Sequence, residues 1–328
     1  MNKKIFKKII NKNPVFSIIT PFKKNGAIDY ETLFLNLKFY YANGVRVFYL
    51  MLYNSRLGLL NDKEIYLLNI KIARYLKKNY TNVLFIGAER FEGSAYETVE
   101  RINKLKGKGV DIFSIIFGEK FYNEEQVYNH FKYINDHTKL PLLLHLQMMM
   151  NGHGINPPVV NYTLKLTNRI CSLKNFVAIK EDAKNYSFTV KLIKKIKNKV
   201  IIIRAGGGMS AWSKFDKLGC HSWLVGIELI EPKLSFDFLH NLKKNNKKFL
   251  NNLYSKIEKP FFEQASIYGW HLFIKSCMEV CGFMRREERL PLLKLNAKDH
   301  NEVRKFIFYL QKISKKYLKK NYFEKIKL

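Results

Sequence analysis

The stretch Phe176-Val177-Ala178-Ile179-Lys180-Glu181-Asp182 joins a run of β-formers to a lysine followed at once by two carboxylates. That pattern reads as a buried strand opening onto a polar rim. With apolar residues beneath it, the ammonium of Lys180 is disfavoured by desolvation, which leaves part of the amine neutral and nucleophilic near neutral pH. Lys180 is therefore a candidate Schiff-base former. The plainer alternative is a strand-end lysine reaching to water beside Glu181. Only the elements around it decide between the two.

Those elements repeat. Strand-like apolar runs are expected at 15–19, 45–52, 83–86, 111–117, 140–144, 176–179, 200–204 and 222–225. Helical stretches at 29–41, 62–78, 94–106, 123–137, 158–167 and 188–196, and one ending at Leu218, fall between them, with Asp62 and Ser94 as N-caps and Pro158 opening its helix. Strands that are apolar throughout, rather than alternating, indicate parallel strands covered by helices. Eight such units match an α/β fold of the (β/α)8 TIM barrel type, whose working face lies at the carboxyl ends of the strands. Asn54, Glu89, His145, Lys180 and Gly207, each at a strand end, then face one mouth. A doubly wound open sheet is the alternative, but no glycine-rich phosphate turn follows the first strand. The expected organisation is a basic N-terminal arm at 1–13, the barrel at 14–233 and a C-terminal helical extension at 234–328.

Composition bounds the rest. The chain has 328 residues, 47% hydrophobic and 14% aromatic, enough to fill a real core. A formal charge of +31 would point to nucleic acid or an anionic membrane if it were gathered on one face, yet the lysines are spread through every segment. Neither nucleic acid nor membrane is expected as a partner; a membrane-touching amphipathic arm at residues 3 to 10 is the lesser alternative. Cys171, Cys220, Cys277 and Cys281 show no framework or zinc-site spacing, so a reducing compartment and packed thiols are expected. The basic N-terminus lacks an unbroken apolar core, and nowhere do about eighteen apolar residues run together. A cytoplasmic location follows as an expectation.

An ordered set of short motifs carries a resemblance. I-T-P-F at 19–22, N-G-V at 43–45, L-N-D-K-E at 60–64, K-G-V-D at 108–111, L-P-L-L-L at 140–144, A-I-K-E at 178–181 and R-R-E-E-R-L-P-L at 285–292 occur in that order. The set resembles the dihydrodipicolinate synthase / N-acetylneuraminate lyase family of Schiff-base aldolases over roughly residues 14 to 313. The resemblance implies a barrel with a C-terminal helical extension, a homo-oligomer (tetramer or dimer), and lyase chemistry on pyruvate, a related 2-oxo acid or a sugar acid. It implies no cofactor and no metal. The catalytic lysine falls on the sixth strand, as that family requires.

The departures define the remaining site expectations. Where the family has G-T-T-G-E after the second strand to grip the keto acid's carboxylate, this chain has Leu52-Tyr53-Asn54-Ser55-Arg56. Asn54 and Ser55 keep hydrogen-bond donors, Arg56 offers a fork for a ligand carboxylate or an ion pair with Glu89 or a neighbouring carboxylate, and Tyr53 changes the room available. His145 stands where the family places its proton-relaying tyrosine, and imidazole carries protons near neutral pH. The family's following arginine has no counterpart in Leu146 to Gly154, whose methionines would line a pocket or fill core. Tyr122 is the candidate counterpart of the family tyrosine that follows the fourth strand and reaches into a neighbouring subunit, although 118–122 does not align cleanly with that motif. Gly206, Gly207 and Gly208 allow close backbone approach to a ligand. Glu181 is expected on the opposite face of its strand from Lys180. A barrel that binds a metabolite without turnover is the alternative function.

Overall fold

Apolar runs become strands because each is covered on both sides, by the barrel interior and by a helix. The computed structural model describes residues 3–90, 93–117, 123–147 and 162–324. An N-terminal helix α1 (Lys3–Ile10) precedes β1 (Val15–Ser17), α2 (Tyr30–Ala42), β2 (Val47–Tyr49), α3 (Asp62–Asn79), β3 (Leu84–Ala88) and α4 (Ala95–Leu105). Then come β4 (Ile112–Ile115), α5 (Glu124–His137), β5 (Leu142–Gln147), α6 (Leu164–Ile170), β6 (Phe176–Asp182) and α7 (Tyr186–Ile196). The barrel ends with β7 (Ile201–Arg204), α8 (Gly208–Asp216) and β8 (Ser222–Trp223). All eight strands are parallel, in sequential order. A bridge between Val15 and Leu224, with Val225 N–H donating to the Val15 carbonyl at 3.1 Å, closes the ring. This is the expected (β/α)8 barrel.

Several boundaries differ from the sequence reading. β5 runs on to Gln147 and β6 to Asp182, so His145 and Lys180 lie inside strands, paired in register, rather than just past them. His145, Lys180, Glu181 and Asp182 continue these strands as polar residues that find partners there. Asn61, not Asp62, caps α3 through a reciprocal capping box with Glu64. α6 opens at Leu164 with Thr163 as its cap, later than expected; Pro158 lies outside the described residues.

The basic arm folds as α1 and packs on the barrel. α1 buries Phe6 and Ile10, the Lys12 N–H donates to the His221 carbonyl at 2.7 Å, and Lys12 Nζ pairs with Asp216 at 3.1 Å. Its apolar face is thus spent on the barrel rather than left for a membrane. Among the described residues no helix is long and apolar enough to cross a membrane. The four cysteines are free and buried.

After β8 the chain is helical: α9 (Lys233–Lys243), α10 (Lys247–Asn252), a π-turn over Leu253–Glu258, α11 (Lys259–Tyr268), α12 (Trp270–Val280) and α13 (Ala297–Ile313). Buried Trp212, Trp223 and Phe238 stack α9 against α8 and β8. The linker between α12 and α13 clamps the barrel's second unit through Arg289, which holds the Glu64 carboxylate with two nitrogens at 2.7 and 2.8 Å. Since Glu64 is also the capping-box residue of α3, the clamp fastens the start of that helix.

Candidate active site

A cavity of about 680 Å³ opens at the carboxyl ends of the strands. Met51, Tyr53 and Asn54 bound it after β2, Gln147 at the end of β5, and Lys180, Asp182 and Lys184 on and after β6. Gly206, Gly207 and Gly208 follow β7, and the roof is Phe262, Ala265 and Ser266 of α11 with Trp270 and His271 of α12.

Lys180 sits at its floor, with only 1% of its surface exposed. Its Nζ lies 2.6 Å from His145 Nε2 and 2.9 Å from Asp182 Oδ2. Burial pushes the Lys180 pKa down; Asp182 opposes that and Lys184 adds to it. His145 is as buried as Lys180, and burial, then the neighbouring lysine charge, hold it well below the ordinary imidazole value. Both effects disfavour its charged form, and its Nε2 stays within hydrogen-bond reach of the amine. His145 does not itself line the cavity; it lies behind Lys180, with the Tyr53 ring edge-on at 6.3 Å.

Asp182 is the residue that the sequence reading passed over. Residues two apart on a strand share a face, so once β6 is seen to reach Asp182 the pair is inevitable. Glu181, between them, faces the helices as expected: it accepts from Thr189 Oγ1 at 3.0 Å and pairs with Arg204 at 3.2 Å. Burial raises its pKa and Arg204 opposes this. Gln147, two residues past His145, has a buried Oε1 with no partner among the described residues.

The loop after β2 divides differently from expectation. Asn54 lines the cavity, but its amide is engaged: Nδ2 donates to Ser17 Oγ at 2.8 Å and Oδ1 accepts from Trp270 Nε1 at 2.8 Å. Ser55 is fully buried, its hydroxyl donating to the Ile18 carbonyl, and it does not reach the cavity. Arg56 is also turned away. Its guanidinium holds Glu288 at 2.6 and 3.0 Å and donates to the carbonyls of Asn54 and His271 at 2.8 and 2.9 Å. Both members of that ion pair have side chains only 1% exposed, and Lys275 Nζ approaches the same carboxylate at 3.4 Å. The donors of Ser55 and Arg56 are thus spent on the fold, and neither residue lines the cavity. The ion pair expected as the alternative for Arg56 is present, with Glu288 as the carboxylate rather than Glu89, which is paired with Arg101 at 3.0 Å. What this loop leaves for an anion is backbone: no group among the described residues accepts from the N–H of Tyr53 or Asn54.

Gly206 and Gly207 line the cavity as expected, with φ of 75° and 82°. The tightest position is Gly208, φ 64°, where an added Cβ would collide with Glu258 Oε1. Glu258, from the π-turn, accepts from the Ser210 N–H at 3.3 Å and so caps α8. Tyr122 and the methionines at 148–150 lie outside the described residues. Nothing local to Trp270 marks it as a site residue; it reaches the cavity because α12 docks over the mouth. Among the described residues no three His, Cys, Asp or Glu side chains converge as a metal site.

Comparisons with known proteins follow this geometry. A model of the "Dihydrodipicolinate synthetase family" matches residues 11–309. A 4-hydroxy-tetrahydrodipicolinate synthase of Karelsulcia muelleri (strain GWSS) is 27% identical over 294 residues, 85% of this chain and 90% of that protein. One of Psychrobacter sp. (strain PRwf-1) is 21% identical over 290 residues, covering 88% and 91%. The fold is similar to that of the chloride-inhibited dihydrodipicolinate synthase of Acinetobacter baumannii in complex with pyruvate. There the TM-score is 0.75 at 20% identity, over 92% of this chain and 99% of that one.

Proposed function

The chain belongs to the dihydrodipicolinate synthetase family and is a lyase of the aldolase type, and from that premise we propose that it works through a Schiff base between Lys180 and a small 2-oxo acid such as pyruvate. The observation that carries this reading is Lys180 Nζ itself: buried at the cavity floor, held by His145 and Asp182, with its pKa lowered.

In the proposed reaction the neutral amine adds to the keto carbon, the carbonyl oxygen leaves as water, and the iminium so formed draws electrons from the adjacent carbon. Loss of a proton there, or cleavage of a carbon–carbon bond, gives an enamine. His145 contacts the reacting nitrogen and fixes the direction of its lone pair; with its pKa held low, it is a transient rather than a resting place for the proton. Asp182, on the cavity side of the same nitrogen, exchanges protons with the substrate oxygen and carbon. The N–H groups of Tyr53 and Asn54 receive the keto acid's carboxylate in place of side-chain donors. Glycines 206 and 207 let the ligand lie against the backbone. Condensation sets out from this enamine, cleavage ends in it, and dehydration passes through it.

The test is reductive trapping. Incubation with pyruvate and borohydride, followed by peptide mass spectrometry, is expected to place an adduct on Lys180 that Lys180→Ala abolishes. Pyruvate that binds the folded protein without giving any adduct would favour the non-catalytic, metabolite-binding alternative. The homo-oligomer expected from the family is checked separately by light scattering.

A further inference from the structure

The cavity is larger than the proposed keto acid. About 680 Å³ is a volume suited to drug-sized ligands rather than to three carbons. Its charges are also unevenly settled. At the floor Lys180 and Asp182 balance one another. His271 on the wall is neutral, because burial and then Arg56 push its pKa down to about 4. Arg56 and Glu288 are paired behind the wall. Lys184 is different: it lines the cavity, is exposed, and has no hydrogen-bond or ion-pair partner among the described residues.

The position of Lys184 is not one the fold favours for its own sake. It holds a left-handed backbone, φ 55°, unusual for a residue with a side chain. It immediately precedes Asn185, the N-cap of α7, and a cation just before a helix N-terminus is repelled by the helix dipole. Its charge already reaches the floor, where it helps lower the Lys180 pKa. The same cavity is lined by the stacked rings of Phe262 and Trp270, 6.2 Å apart at 18°. An acidic group entering here would meet one unbalanced cation beside an apolar wall.

We propose that Lys184 is a specificity-determining residue, which selects substrates carrying a second acidic group beyond the reacting 2-oxo acid. The inference rests on Lys180 forming the Schiff base. The probes are 2-oxoglutarate and 2-oxopentanoate, which share a five-carbon chain and differ in a terminal carboxylate against a terminal methyl. Half-saturating concentrations for borohydride-trapped adduct on Lys180 are compared as a ratio, which cancels any change in the reactivity of Lys180 itself.

The wild-type protein is expected to favour 2-oxoglutarate by about tenfold, as for one charge-assisted contact. Lys184→Arg is expected to keep that preference and Lys184→Met to remove it. A ratio near one in the wild type, or the same ratio in Lys184→Met, overturns the proposal while a pyruvate adduct leaves the Schiff-base reading standing. Absence of any pyruvate adduct in folded protein overturns both.

Discussion

Lys180 and Asp182 lie two residues apart on one face of β6, with Nζ and Oδ2 2.9 Å apart at the floor of the cavity. Burial and the carboxylate act on the amine in opposite directions, and burial is the larger effect.

The rate of adduct formation should therefore rise with pH as Lys180 loses its proton, and the variants should move that rise in opposite senses. Asp182→Asn removes a charge that raises the pKa, so the midpoint falls. Lys184→Met removes a charge that lowers it, so the midpoint climbs. Trapping rates against pH for the three proteins check this; midpoints that coincide would refute the electrostatic account.

His145→Ala should slow adduct formation by roughly tenfold to a hundredfold at a fixed pH, by removing the acceptor that orients the amine. Single-turnover trapping measures it directly. An unchanged rate would make His145 a packing residue.

Glu288→Gln should cost about 3 to 5 kcal/mol of stability, because it leaves Arg56 buried without its counter-ion. Lys275 softens the loss, since burial has already pushed its pKa down to about 7 despite Glu288. Denaturant titration gives the value. A loss below about 1 kcal/mol would mean that Arg56 has found another partner, and the substrate carboxylate would again be a candidate.

Glu258 predicts a pH slope in stability. Burial, reinforced by Glu228, pushes its pKa from the ordinary 4.5 up to about 8. The folded state then keeps a proton that the unfolded state releases, so this contribution is fully present below 4.5 and is lost as pH rises to about 8. Lys275 acts in the opposite sense from about 7 to 10.5. The readout is accordingly the difference between wild type and Glu258→Gln, which should grow in favour of the variant from about pH 5 to about pH 8. A flat difference would sink this reading.

Gly208→Ala should destabilise by about 1 to 3 kcal/mol, because the methyl group adds clashes with Glu258 and Phe262 to the strain of a positive φ. Gly206→Ala, whose Cβ would meet only Asp182 Oδ1 at 3.6 Å, should lose less stability. Thermal melts of the pair separate collision from strain.

The sequence by itself determined the barrel, because strand and helix periods are local and the eight units repeat them; it also placed the lysine on the sixth strand. It left Asp182 unassigned for a local reason, the strand having been ended at Ile179 where polar residues begin. Tertiary structure alone decided which polar groups are free. Arg56, Ser55 and Asn54 look alike as donors on paper, yet Glu288, the Ile18 carbonyl and the Ser17 hydroxyl accept from them across 232, 37 and 37 residues. Periodicity places a side chain on a face; only the packing of distant segments shows whether its hydrogen bonds are already taken.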